Sequence, residues 1–244
     1  MDLLKQIVAR AQSDKQRIVL PEAEEERTLK AADRALQDGL ADIILIGNPE
    51  NIRKEAEEWG LKNIDKATIV DPKNNPRCEE YAEKLAELRK KKGMTIEQAR
   101  KLVTENNLYL GCMIIKTEGA DGQISGALST TGETLRPALQ IIKTKPGNKI
   151  VSSCFIMVRP SATGENEVLA MADCAINIKP NEDELVEICK ETVSCAKIFG
   201  VDPKVAFLSY STLGSGKGED VDKMRNACEK AKALMPDTPI GGEF

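Results

Sequence analysis

The sequence predicts an α/β fold built on a parallel sheet. Two observations carry that reading: short apolar runs alternate with amphipathic helical stretches from the start of the chain, and the runs are β-branched and apolar throughout, as strands buried on both faces are. With 244 residues, 41% of them hydrophobic, the chain can bury a sizeable core, either as one large domain or as two α/β subdomains.

RIVLP (17–21) reads as the first strand and is followed by a helix over 25–38. DIILIG (42–47) is the second strand, 49–58 the next helix and TIVD (68–71) the third strand. Over 79–92, Tyr81, Leu85 and Leu88 recur at helical spacing among lysines and glutamates, which predicts an exposed helix with a narrow buried stripe. A Gly-Met-Thr break precedes a helix over 95–106, and NLYLGCMIIK (107–116) fits either a buried helix or a strand, because periodicity does not separate the two in so apolar a run. KTKPGNK (143–149) has the Pro-Gly pair and the lysines of a surface connection. It divides the chain into a first subdomain over 1–145 and a second over 146–244. In the second, 151–158, 173–178 and 204–211 read as strands, with helices over 182–199 and 219–235. The first of those helices carries Leu185, Cys189, Val193 and Ala196 on one face. There is no short internal repeat and no low-complexity tract.

A net charge of -4 offers no basic field for a polyanion, which argues against nucleic acid as a partner. The start of the chain has no secretory h-region, and no apolar run approaches the ~18–20 residues of a membrane span, so no membrane association and a cytoplasmic location are expected. Seven cysteines, at 78, 112, 154, 174, 189, 195 and 228, include no CxxC pair and are expected to be reduced and mostly buried. Histidine is absent, so the commonest general base and the commonest metal ligand are both missing, and no metal is expected. Catalysis then falls to carboxylate, lysine, cysteine or arginine. Cys112 and Cys154 are conceivable nucleophiles, but with no histidine to activate them and apolar runs around them, packing is the expected role. GSGKG (214–218) departs from the P-loop pattern, since residue 211 is Ser and residue 218 is Gly, and reads instead as a glycine turn between a strand and a helix.

The stretch LSTTGETLRPALQIIKT (128–144) carries the strongest signal of a site. Thr130 and Glu133 are spaced as a capping box, which would start a helix at Thr130. Pro137 argues against that start, because proline inside a helix costs on the order of 3 kcal/mol and is free of that cost in the first turn. The expected N-cap is therefore nearer Thr134, with Arg136 and Pro137 in the first turn and 129–133 as a loop. On that placement free amides, the hydroxyls of Ser129, Thr130 and Thr131, the flexible Gly132 and the Arg136 guanidinium gather into an anion site suited to phosphate. The same residues also fit a plain helix cap with the arginine paired to a carboxylate.

DG-x-x-SGA (121–127) followed by the hydroxyl cluster and T-L-R-P-A-x-Q-I-x-K-T (134–144) resembles the signature of the phosphate acetyltransferase (phosphotransacetylase) family. IVLPE (18–22), RTL (27–29), GLADI (39–43), IVDPK (69–73), ELRKKKGMT (87–95), ADCA (172–175) and PKVAFLSYSTLGS (203–215) are similar to further landmarks in that family's order. The resemblance covers essentially the whole chain. It implies a three-layer α/β/α fold of two subdomains around a cleft, like isocitrate and isopropylmalate dehydrogenases, and a cytoplasmic homodimer. The implied activity is acyl transfer between acetyl phosphate and coenzyme A, giving acetyl-CoA and phosphate, with coenzyme A as a substrate and no bound cofactor. A phosphate butyryltransferase shares the fold and is the enzymatic alternative; a catalytically inactive chain that binds coenzyme A or phosphate is the other.

By the resemblance, Arg136 holds phosphate or the acyl oxygen, with Ser129, Thr130 and Thr131 as neighbouring donors, and Arg89 in ELRK is a second substrate-binding arginine. Leu128 stands where many members carry histidine, which removes one polar neighbour; Ala23 and Glu133 are milder departures. The family's best candidates for thiol base and catalytic stabiliser lie in a C-terminal N-D-L-S-R-G-like motif that this sequence does not contain. The catalytic residues are therefore left unassigned, the second subdomain is expected to be incomplete, and reduced activity is expected.

Overall fold

The computed structural model describes residues 3–117, 119–160 and 166–244. The chain divides into two compact units, Leu3–Lys143 and Thr144–Phe244.

In the first unit α1 (Leu3–Ser13) leads into β1 (Gln16–Leu20), α2 (Glu26–Gln37), β2 (Ala41–Ile46), α3 (Pro49–Glu58) and β3 (Thr68–Val70). Next come α4 (Cys78–Arg89), α5 (Ile96–Glu105), α6 (Asn107–Lys116), the short β4 (Gly122–Gln123) and α7 (Thr131–Pro137). The strands form one parallel sheet in the order β3-β2-β1-β4, with Ile18 opposite Ile43 and Gly122, and Ile44 opposite Thr68. Alternation along β1 and β2 sends side chains to both faces. Val19, Ile44 and Ile46 pack with Tyr81, Leu85, Val103, Leu110 and Met113 from α4, α5 and α6. Leu20, Ile43 and Leu45 pack with Leu29, Ala32, Ile52 and Ala56 from α2 and α3. The three expected layers are present in this unit.

The undecided run 107–116 is the helix α6. Asn106 settles it: its side chain accepts from the Leu108 and Tyr109 amides and so caps a helix start, although Leu108 through Ile114 are all buried. Gly111 brings α6 close to the sheet, since a Cβ there would lie 3.1 Å from Val19 Cγ1. Strand β4, not expected from the sequence, is held beside β1 by a two-pronged pair: Arg17 Nε donates to Asp121 Oδ2 at 3.0 Å and Nη2 to Oδ1 at 2.7 Å. The Arg17 amide adds a third bond to Oδ2 at 2.9 Å.

Just past β1, the Glu22 carboxylate is cradled by the loop that follows β4. Its Oε2 accepts from the amides of Gly126 (2.8 Å) and Ala127 (2.7 Å), and its Oε1 from Leu128 (3.0 Å) and Ser129 (2.8 Å). Burial pushes the Glu22 pKa up, but the Ser129 side chain and these amides outweigh it and hold the group at about 2. Gly126, at φ +110°, supplies the backbone turn that aims successive amides at one anion.

The expected N-cap at Thr134 is corrected by the structure. Thr130 is the N-cap, with both bonds of a Thr130–Glu133 capping box formed, and Thr134 N donates to Thr130 O at 3.0 Å. Pro137 is tolerated because it closes the α-helical segment: residues Ala138–Ile142 continue as a π-helix, whose wider turn ends with Lys143 N bonded to Ala138 O at 2.9 Å. The missing proline N–H thus falls at a change of helical pitch.

The second unit contains β5 (Cys154–Pro160), β6 (Asn166–Ala172), α8 (Glu182–Ile198), β7 (Val205–Phe207), α9 (Glu219–Leu234) and β8 (Ile240–Gly242). Strands β5 and β6 are an antiparallel pair, and β7 and β8 a parallel pair. Cys189 and Val193 of α8, Phe207 of β7, and Ala227, Cys228 and Ala231 of α9 form the core. Two strand expectations fail here. The run 173–178 is a turn, because Asp173 Oδ1 accepts from the Ala175 and Ile176 amides (2.9 Å each) and Oδ2 from Asn177 Nδ2 (2.6 Å). The run 204–211 is a strand only over Val205–Phe207, after which Ser211 and the glycine loop are drawn to Glu243. Ser211 Oγ donates to Glu243 Oε1 at 2.6 Å, Gly214 N donates to the same oxygen at 2.8 Å, and Arg225 Nε donates to Oε2 at 2.9 Å. Within the glycine loop the Gly214 amide therefore serves a protein carboxylate that is 1% exposed and the Gly216 amide donates to Ser211 Oγ at 2.9 Å, in keeping with a structural turn. Among the described residues no helix is long and apolar enough to cross a membrane.

The Glu22 cradle has a measurable signature. Glu22→Gln leaves the four amides without an anionic partner, and the expected destabilisation is about 2–3 kcal/mol by urea unfolding at neutral pH. Because the folded pKa of about 2 lies below the ordinary 4.5, the stabilisation is complete above roughly pH 4.5 and drains away as pH falls toward 2. The gap between wild type and Glu22→Gln should close over that window; a gap constant with pH would refute the assignment.

Candidate functional site

Three helices of the first unit supply the candidate site. Arg89 is the last residue of α4 and precedes a 3₁₀ turn that ends at Gly93, at φ +76°. Tyr109 lies in the first turn of α6, is 6% exposed, and donates its hydroxyl to Gln140 Oε1 at 2.9 Å. Gln140 belongs to the π-helical turn, and Arg136 to α7 just before it. Burial raises the Tyr109 pKa, and the charges of Arg136 and Arg89 both oppose that rise. Two arginines distant in sequence thus bear electrostatically on one phenol.

Among the described residues neither Arg136 nor Arg89 forms an ion pair. Of the plain-cap reading, the cap exists, and Arg136, which is exposed, has no carboxylate partner among the described residues. Glu133 feels the Arg136 charge, yet its carboxylate is held in the capping box by the Thr130 amide and hydroxyl, both at 2.8 Å. Two further polar atoms are enclosed without a partner, Arg89 Nε and Thr134 Oγ1. Glu55 Oε2, Asn75 Nδ2, Gln123 Oε1 and Glu191 Oε1 are enclosed in the same way elsewhere, so these two atoms support a ligand site only together with the two arginines.

The other sequence-derived donors are placed less favourably. Ser129 is engaged with Glu22 through its amide, at 2.8 Å, and its side chain. Thr130 is engaged with Glu133. Thr131 is exposed in the first turn of α7. The free amides expected at the helix N-terminus are displaced with the cap: those of residues 126–129 are bonded to Glu22 and that of Thr130 to Glu133, whereas those of Thr131 and Gly132 in the first turn of α7 have no partner among the described residues. What remains for an anion is guanidinium charge, the hydroxyls on α7 and the two first-turn amides of Thr131 and Gly132. Sequence reasoning missed Tyr109 and Gln140. Gln140 stands inside the T-L-R-P-A-x-Q motif and could have been singled out there, whereas Tyr109 is one apolar residue among many in its run.

The thiols are unsuited to nucleophilic catalysis. Burial pushes Cys112 up to about 11, and Cys154 is also raised to about 11, by burial first and then by the adjacent Cys195. Both are neutral near pH 7.

A family model described as phosphate acetyl/butaryl transferase matches residues 2–244. The phosphate acetyltransferase of Thermoanaerobacterium thermosaccharolyticum is 49% identical, over 100% of this chain and 74% of that protein. Its counterpart in Clostridium acetobutylicum is also 49% identical, over 100% of this chain and 73% of that protein. Among solved structures, a phosphotransacetylase from Streptococcus pyogenes superposes with a TM-score of 0.90 at 41% identity, over 99% of this chain and 72% of that one. With nearly the entire sequence matched by the family model, and relatives at 49% identity along all of it, the chain belongs to the phosphate acetyl/butaryl transferase family.

Proposed function

We propose that this chain is a phosphate acetyltransferase acting on acetyl phosphate and coenzyme A, and that Arg136 and Arg89 bind the anionic substrates. The observation that supports the site is the pair of arginines that bear on Tyr109 and lack carboxylate partners among the described residues. The acyl preference is supported by the relatives, which are named phosphate acetyltransferases. The reading extends to a cytoplasmic homodimer with no bound cofactor; the resemblance supports the dimer, and the seven free thiols suit a reducing compartment.

The chemistry is an acyl transfer. The coenzyme thiolate attacks the acetyl carbonyl carbon, negative charge moves onto the carbonyl oxygen, and collapse of that intermediate expels phosphate with the electron pair of the broken C–O bond. Phosphate and oxyanion both need positive donors, the role proposed for Arg136 with Thr131 beside it. Arg89 is assigned to coenzyme or phosphate. Ser129 and Thr130 are neighbouring donors whose carboxylate partners would have to share them. A thiol base is not assigned in this chain. Each positioned acid, base or oxyanion donor typically contributes about a hundredfold or more in rate, so the group that deprotonates the thiol is the largest unassigned part of the site. A second reading is a chain that binds these substrates without turning them over, since no thiol base is assigned among the described residues.

Arg136→Ala should weaken acetyl phosphate binding by roughly 10- to 100-fold in calorimetry, with unchanged unfolding, because a charge-assisted contact is lost. Unaltered affinity would leave Arg136 an exposed charge with no part in binding. In a thioester-formation assay with excess enzyme, acetyl phosphate should outperform butyryl phosphate; equal rates would remove the acetyl assignment. Binding with no thioester formed at all would select the second reading.

A further inference from the structure

We propose that Cys154 and Cys195 form an intramolecular disulfide on exposure to a low-molecular-weight disulfide oxidant, making this pair a reversible modification site in the Thr144–Phe244 unit. Cys154 opens β5 and Cys195 lies in the last turns of α8, and their sulfurs are in contact at 3.5 Å. Neither side chain is fully enclosed. A disulfide needs about 2.05 Å between sulfurs, so the gap to close is about 1.5 Å, within reach of side-chain rotation. The other close neighbour on this surface, Cys174, is exposed and directs its sulfur to the Met171 carbonyl at 2.9 Å.

The exchange balances with glutathione disulfide as oxidant. The Cys195 thiolate attacks one sulfur of the oxidant, forming a mixed disulfide and releasing one glutathione thiolate. Cys154 then attacks the Cys195 sulfur and expels the second glutathione. Two protein thiols are oxidised, the oxidant's S–S bond is reduced, and the two thiol protons end on the two glutathiones. Cys195 attacks first because burial and the neighbouring sulfur hold Cys154 protonated, with a pKa of about 11.

The bridge would join positions 41 residues apart and fasten the β5–β6 pair to α8. That pair exposes Phe155 (58%) and Met171 (49%), so its hold on the rest of the unit is otherwise modest. Closing a loop of this length removes freedom from the unfolded chain and should raise the unfolding temperature on the order of 5 °C or more.

The test uses the full chain. After incubation with glutathione disulfide and alkylation of the remaining thiols, peptide mapping should find Cys154 linked to Cys195, five cysteines alkylated and reversal by dithiothreitol. Cys195→Ser should abolish the link, and Cys174→Ser should leave it intact. A glutathione adduct that persists on Cys195 without closing, a Cys154–Cys174 link instead, or no reaction would each overturn the proposal. A bridge that forms without raising the unfolding temperature would overturn the stabilisation.

Discussion

The Glu22 carboxylate, held by four consecutive amides of the 126–129 loop, is the contact on which the candidate site depends. An anion withdrawn from water is costly unless its lone pairs are met, and here two bonds reach each oxygen. The same bonds give those amides partners and fix where the chain leaves β4 and enters α7. Arg27 tightens the arrangement by donating Nη2 to the Ala127 carbonyl at 3.0 Å. With both ends of the loop referred to the parallel sheet, the helix that carries Thr131, Thr134 and Arg136 starts from a defined place.

Many of the arginines are matched to carboxylates, whereas among the described residues Arg53, Arg89 and Arg136 are not. Arg17 is joined to Asp121, Arg100 to Glu79 and Arg225 to Glu243, each with a guanidinium nitrogen within 3.0 Å of an oxygen. Arg89 and Arg136 show no such pairing among the described residues, and one of them also encloses an unmatched donor. Excess positive charge beside a half-finished hydrogen-bond network suits a dianionic ligand, since phosphate supplies charge and acceptors together. Tyr109 and Gln140 form the neutral side of that environment and are already bonded to one another. The relatives' phosphate acetyltransferase names agree with the chemistry that the residues suggest.

Much of the first unit was legible in the sequence. Strands β1, β2 and β3 announce themselves because a strand covered by helices on both faces has to be apolar at every position, and their alternate residues do enter two separate cores. Shorter strands were not legible. β4 contains Gly122 and Gln123 alone, and β8 is Ile240, Gly241 and Gly242, so neither has a pattern long enough to read. β6 (Asn166–Ala172) is composed largely of Glu, Leu, Ala and Met, which favour helices, and it is a strand because β5 pairs with it along its length. The Thr130 capping box was correctly spaced but was overruled by the usual rule about proline. The rule fails locally because the helix changes pitch at Pro137, which is a property of the folded segment as a whole.

The sequence by itself determined the layered α/β class of the first unit, the family resemblance and Arg136 as an anion-binding candidate, because apolar runs and short motifs are local properties of the chain; Arg89 became a candidate only through the resemblance. The tertiary structure alone decided which polar groups are already taken. Ser129, Thr130 and the amides of residues 126–130 look free in the sequence and are bonded to Glu22 and Glu133 in the fold, while Arg136, which could have had a carboxylate partner, has none among the described residues. The contact between Cys154 and Cys195 is of the same kind. Hydrogen bonds and ion pairs between residues distant in sequence depend on ångström-scale distances that only packing sets, and a motif's spacing does not encode them.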